Sequence, residues 1–181
     1  MHNHRRLTAP LWLACAPAAQ IAAAAEHREH GAHVHGAGQL NIALDGTQLE
    51  IELDSPAANL VGFEHAPRNT AEQVQRDQAL AQLRDGQALF ILPEAAACRL
   101  QGSHVAEEGP EHQENGDNES NHHADISGLY RFHCETPSEL SGIDVRLFQR
   151  FPAIEKLEVQ LIGPHGQRGE ELTPQASHLS F

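Results

Sequence analysis

Positive charge is what this chain has least of: across 181 residues 12 Lys and Arg stand against 25 Asp and Glu, a formal net charge of −13. A chain so poor in cations repels nucleic acid and anionic lipid and attracts cations. Long apolar runs are also missing. Beyond the first 25 or so residues no stretch is apolar for long enough to span a membrane, so no membrane insertion of the mature chain is expected. Cysteine is limited to three residues with no Cys-x-x-Cys spacing, which leaves a redox or thiolate-metal pair without support. There is no His-Glu-x-x-His helix and no Gly-x-Ser-x-Gly turn. Glu29 beside His30 does not replace the first, because Gly31 follows at once. A catalytic zinc site needs fixed ligands, an open position and an activating base, and nothing here converges on a reaction. A non-enzymatic role is expected.

What the chain does have begins with a leader. Arg5 and Arg6 precede an apolar stretch from Leu7 to Ala19, and the small residues Ala22 to Ala25 come before the first acidic residue. Residues 1–25 therefore read as a secretory signal peptide, and the product as a soluble periplasmic protein. Twin-arginine and lipoprotein leaders fit less well: the residues around Arg5 and Arg6 lack the twin-arginine consensus, and Trp12 and Leu13 are bulky for a lipoprotein site at Cys15. About 156 residues remain after cleavage, enough for one domain with its own core. Their charge is about −15, since Arg5 and Arg6 go with the leader. In an oxidising compartment the two remaining cysteines, Cys98 and Cys134, are expected to pair. Closing that loop of about 36 residues stabilises the fold by about 4 kcal/mol in the chain-entropy treatment.

Periodicity predicts a mainly β (α+β) fold, an antiparallel sheet or sandwich with one substantial helix and a disordered His/acid-rich loop. Leu40, Ile42 and Leu44 alternate with polar residues, Asp45-Gly46 turns the chain, and Leu49, Ile51 and Leu53 resume the alternation. Ser55 to Pro67 follows neither period and reads as an ordered connection packed on the core. Thr70 with Gln73 has the form of a capping box, opening a helix through Ala71, Val74, Ala79, Leu80 and Leu83 that Gly86 should end. Ala88 to Leu92 is too short to classify. A strand around Cys98 and Leu100 should face one carrying Tyr130, Phe132 and Cys134 on one side and Leu129, Arg131 and His133 on the other. Further alternation marks Ile143, Val145 and Leu147, then Leu157, Val159 and Leu161, with a turn at Gly163 to Gly166 and an extended piece near Leu172. The expected organisation is a His-rich N-terminal segment over residues 26–38 and a single β-rich domain over 39–181, interrupted by a mobile loop at 103–125.

Fourteen histidines carry the functional signal. His27, His30, His33 and His35 fall within nine residues; His33 and His35 would project to the same side of an extended chain and could grip one ion. Zn²⁺ takes about four N, O or S ligands at roughly 2.0 to 2.2 Å, and imidazole is its commonest protein ligand. In the 103–125 stretch His104, His112, His122 and His123 accompany seven carboxylates, Asp125 among them, so imidazoles and hard oxygen ligands are within reach of one another. His65 ends an ordered apolar stretch before Pro67 and reads equally as a metal ligand or a buried structural residue bonded to a backbone carbonyl. His133 reads as a solvent-facing strand residue, and His165 and His178 as incidental. Zn²⁺ is the expected ion, although such imidazole sites would hold Cu²⁺ at least as tightly. A copper or nickel buffer, or an exported interaction module with passive histidines, are the alternatives.

The stretch from Ser55 to His65, the His-rich lead into Gly36-Ala37-Gly38-Gln39-Leu40-Asn41-Ile42, and Phe148-Gln149-Arg150-Phe151-Pro152 together resemble the ZrgA-like family of exported proteins. The resemblance covers nearly the whole mature chain. It implies periplasmic zinc binding through histidine-rich segments of variable length. It also implies assistance to zinc uptake, with a zinc-uptake ABC transporter or its solute-binding protein as partner. In this chain the second histidine segment is short and holds seven acids and four amides beside its four histidines.

Overall fold

The structure is a computed structural model that describes residues 34–108 and 124–181. Strand β1 (Ala37–Asp45) and β2 (Gln48–Pro56) form the expected hairpin, closing at Asp45 opposite Gln48 around Gly46. Gly46 has φ +56°, a left-handed conformation that favours glycine. Helix α1 (Ala57–Val61) follows and ends at Gly62 with φ +88°. This single turn is the ordered connection expected after Ser55, too short to show a helical period. Asn59, Leu60 and Val61 are buried in it.

Helix α2 (Thr70–Arg84) begins one residue earlier than the Thr70–Gln73 box implies. Asn69 is the cap: its side chain accepts from Glu72 N at 3.0 Å, and Glu72 reaches back to Arg68 N at 2.7 Å. The pairing has capping-box logic with a better N-cap residue than threonine. Only Ala79, Leu80 and Leu83 of α2 are buried, and Val74 is exposed. Gly86 does not end the helix by a left-handed turn; it opens the short helix α3 (Gly86–Leu89), which leads to β3 (Phe90–Ile91). Its smallness has another cause. A Cβ on Gly86 would lie 2.6 Å from Cδ1 of Tyr130.

Strand β4 (Cys98–Glu108) pairs antiparallel with β5 (Asp125–Cys134), and the Cys98–Cys134 disulfide joins residues directly opposite each other. β4 runs on through Glu108, so the stretch from Ser103 to Glu108 assigned to a loop by composition is strand. Val105 and Ala106 pair with Gly128 and Ser127 there, and this ladder overrides the polar composition. The rest of the expected loop lies outside the described residues, and Asp125 already belongs to β5.

Beyond β5 come β6 (Gly142–Val145), α4 (Leu147–Arg150), β7 (Lys156–Gly163), β8 (Gly166–Leu172) and β9 (His178–Ser180). Leu147 therefore starts a helix instead of continuing a strand. The large sheet has the order β4-β5-β2-β1-β7-β8, and a smaller one the order β3-β6-β9. Pairing is antiparallel except between β1 and β7, whose parallel register sets Gln39 against Glu158. The large sheet buries one face through Leu40, Ile42, Leu49, Ile51, Leu53, Ile126, Tyr130, Phe132, Leu157 and Val159. Leu83 of α2 and Phe90, Ile143, Val145 and Leu179 of the small sheet join the same core, which fits the β-rich, one-helix architecture.

Tyr130 is the keystone of that core. It is fully buried, its ring meets the edge of Phe90 at 5.0 Å, and its hydroxyl donates to Leu83 O at 2.8 Å. Burial pushes its phenol well above the ordinary value near 10, because the buried phenolate would lose its hydration. The neutral form is thus favoured by folding, and the stability it contributes is complete below about pH 10 and lost as pH rises from there toward the folded-state value. Because Tyr130 is the single tyrosine, the phenolate ultraviolet band is expected only as the chain unfolds in strong alkali. Phenolate absorbance at about pH 10 with native circular dichroism would contradict the burial. Tyr130→Phe should cost about 1 kcal/mol by removing the donor to Leu83.

Candidate metal centre

The two histidine segments enter the described fold at one end of the large sheet. Register places Pro56 of β2, Asp125 of β5 and Glu108 of β4 in a single cross-strand row, and β1 begins beside it, its pairing with β2 starting at Gln39 opposite Asp54. At about 4.8 Å per strand, the root of the N-terminal segment is about 10 Å from the point where the 109–123 stretch re-enters the sheet. The start of α1 links the two points. Ala57 N donates to Ala124 O at 2.8 Å, and Asn59 Oδ1 accepts from Gly36 N at 2.8 Å. Asn59 Nδ2 also donates to Ala37 O at 2.9 Å and to Ser55 Oγ at 3.1 Å, so this buried amide is satisfied on both sides. At the far edge of the row Arg76 of α2 donates through Nε to Glu107 Oε1 at 2.8 Å, and that hydrogen bond holds the guanidinium above its ordinary value.

His35 sits where the N-terminal segment meets the fold, in a turn closed by Ala37 N donating to Val34 O at 3.0 Å. Its Nε2 meets Glu64 Oε1 at 2.9 Å, with the imidazole exposed and the carboxylate 16% accessible. Glu64 is the residue that sequence reasoning did not select. It lies inside the quoted Phe63-Glu64-His65 motif, but 29 positions separate it from His35 and no periodicity connects them. The pair fits a zinc ion chemically: one nitrogen and one oxygen donor, both ordinary Zn²⁺ ligands. Two ligands on one tetrahedral ion stand roughly 3.4 Å apart, so insertion asks the pair to open by only about half an ångström.

The other selected residues are placed separately. His65 stacks on Phe63 with ring centroids 5.0 Å apart, and its Nδ1 lies 2.9 Å from Ala66 O and 3.9 Å from Glu72 Oε2. A carbonyl only accepts, so Nδ1 carries the proton, which leaves the lone pair of the neutral ring on Nε2. The carbonyl bond is the one anticipated for a structural histidine, but the side chain is exposed and not buried as that reading held; the same bond is the one that orients imidazole ligands in metal sites. His104 is exposed on β4, level with Leu129. Asp125 is half-buried and level with Glu108, on the same open face as His104 but four residues along the ladder, about 13 Å away. His27, His30, His33, His112, His122 and His123 lie outside the described residues. Among the described residues no three His, Cys, Asp or Glu side chains come together as a ready-made metal site. His133 is tied to Gln48 Nε2 at 3.0 Å and His178 to Asp144 at 2.7 Å, both on strands.

Comparison with protein families decides the relationship. The model of the family described as ZrgA family zinc uptake protein matches residues 32–181. The chain belongs to the ZrgA family. The match begins inside the first histidine segment and runs to the last residue, so the sheet, the α1 clasp and the His35–Glu64 pair all fall within the ZrgA region. A comparison with curated proteins returned no match. The family description associates the chain with zinc and with its uptake. Among the described residues no helix is long and apolar enough to cross a membrane.

Proposed function

We propose that this ZrgA-family protein is an exported, non-enzymatic zinc-capture protein of the periplasm. It takes up Zn²⁺ through His, Asp and Glu side chains of its two histidine segments and hands the ion to a zinc-uptake ABC transporter or its solute-binding protein. One observation supports this reading above the others. The chain next to both segments is held at one end of the sheet, by the Pro56–Asp125–Glu108 row and by the contacts of α1 with Gly36 and Ala124, with the His35–Glu64 pair beside it. The described residues from which the two segments extend are thereby held near each other, which lowers the ordering cost of gathering their ligands on an ion. A net charge of about −15 on the mature chain adds a long-range attraction for cations. A carrier must also release its cargo, and a site completed only when the ion arrives exchanges faster than a closed structural one.

The test is a zinc titration of the mature protein by calorimetry, repeated with His35→Ala, Glu64→Gln and the double change His122→Ala with His123→Ala. At least two classes of site are expected. Either single change should weaken one class about tenfold, and the double change the other, with circular dichroism of the metal-free proteins unaltered. Heat no larger than buffer dilution would leave a module with passive histidines. Tight Cu²⁺ or Ni²⁺ binding in protein that ignores Zn²⁺ would point to a different cargo.

A further inference from the structure

We infer that Asn59 is a positioning residue for zinc capture, acting through the backbone that carries His35; the inference rests on the zinc-capture reading above. Each polar backbone group of Gly36 is held. Its N–H donates to Asn59 Oδ1 at 2.8 Å, and its carbonyl accepts from Glu155 N at 2.7 Å and from Lys156 N at 3.0 Å. Gly36 has φ +82°, and a Cβ there would lie 3.1 Å from the Glu155 side chain, so both conformation and space call for glycine. The next residue is caught as well, with Ala37 O accepting from Asn59 Nδ2 at 2.9 Å. The peptide immediately after His35 is therefore gripped from α1 on one side and from the start of β7 on the other. His35 is presented to Glu64 from a fixed support, although its own ring is exposed.

Asn59 suits this task because an amide offers an acceptor and a donor on one planar group, and both are used on adjacent peptides. Leucine at the same site would fill the space in the core yet leave Gly36 N–H without its partner. The geometry also gives the Ser55 to His65 motif a physical role. Ser55 Oγ braces the amide at 3.1 Å, Asn59 holds the root of the first histidine segment, and Glu64 faces His35. The motif contributes one prospective ligand and holds the support of another.

Isothermal titration and chelator competition with Zn²⁺ alone test this on the full mature chain. Asn59→Ala should weaken the His35-dependent site about tenfold, the lower end for loss of a residue that orients a metal ligand. The decisive measurement is the cycle with His35→Ala. If Asn59 acts through His35, the double variant binds zinc no more weakly than His35→Ala alone; a merely structural role would give losses that multiply. Gly36→Ala disturbs the same support without emptying the core, and should reproduce the tenfold loss if Asn59→Ala proves too unstable to study. Unchanged affinity in folded Asn59→Ala or Gly36→Ala protein, or multiplying losses in the cycle, overturns the inference. A wild-type chain that binds no zinc overturns the underlying reading instead.

Discussion

Zinc affinity is expected to fall roughly 60-fold between pH 7 and pH 5.5 for a site with two imidazole ligands, and further for a site with three. The size follows from proton competition. Free imidazole titrates near 6.5, so about three-quarters of it is neutral at pH 7 and about one-tenth at pH 5.5, a loss of about eightfold per ligand. A protonated ring has no lone pair for the ion. Carboxylates titrate near 4 and stay ionised throughout that window, so a site built from Asp and Glu alone would hold its affinity. The pH dependence thus separates an imidazole site from an acidic surface that merely attracts cations. Competition against a zinc indicator calibrated at each pH gives the measurement. His122→Ala with His123→Ala should flatten the dependence at one class of site and leave the other. A change of less than about threefold across the window would make the histidines passive.

Much of the fold could be read from hydrophobic alternation, and the exceptions have identifiable causes. The β1–β2 hairpin was legible because Leu40, Ile42, Leu49, Ile51 and Leu53 share one buried face and Gly46 supplies the left-handed turn residue. β5 was legible for the same reason, with Tyr130, Phe132 and Cys134 all buried. Leu147 continued an alternating pattern yet lies in α4, since a period of two carried by one further residue does not tell a strand from the first residue of a helix. The end of β4 was hidden because His104, Glu107 and Glu108 give an edge strand the composition of a loop. Parallel pairing of β1 with β7 was not legible either. Alternation records which face is buried and is indifferent to the direction of the neighbouring strand.

At the candidate site, ligand chemistry could be read and convergence could not. His35 was selected for its density of neighbouring histidines, and nothing local in the chain points it at Glu64. Asn59 was invisible for a related reason: a buried amide earns its place by hydrogen bonds to residues 22 and 23 positions away. The same long-range pairing explains why His104 and Asp125, grouped by composition with the second segment, belong to different points of the β4–β5 ladder.

Removing the disulfide through Cys98→Ala with Cys134→Ala should lower stability by about 4 kcal/mol, the loop-closure entropy returned to the unfolded chain. That is a large share of the roughly 5 to 15 kcal/mol that holds a domain together. At about 3 °C per kcal/mol for a chain of this size, the thermal midpoint should fall by about 12 °C. The bridge matters because β4 is an edge strand with largely exposed side chains, paired to the sheet through β5 and anchored at its beginning by Cys98. Its other end, at Glu108, leads into the second histidine segment. Weakening β4 should therefore reach zinc binding unequally. His35 and Glu64 are supported by β1, α1 and β7, with no contribution from the bridge, so the class of site that depends on them should keep its affinity well below the new midpoint. The class that depends on His122 and His123 should weaken first as temperature rises, because one of its two roots is the end of β4. Thermal unfolding of metal-free protein, followed by zinc titration at two temperatures below the midpoint, measures both effects. A midpoint within about 2 °C of wild type would mean that the unfolded chain gains little freedom when the bridge is absent. Equal loss in both classes would mean that the two roots are not supported independently.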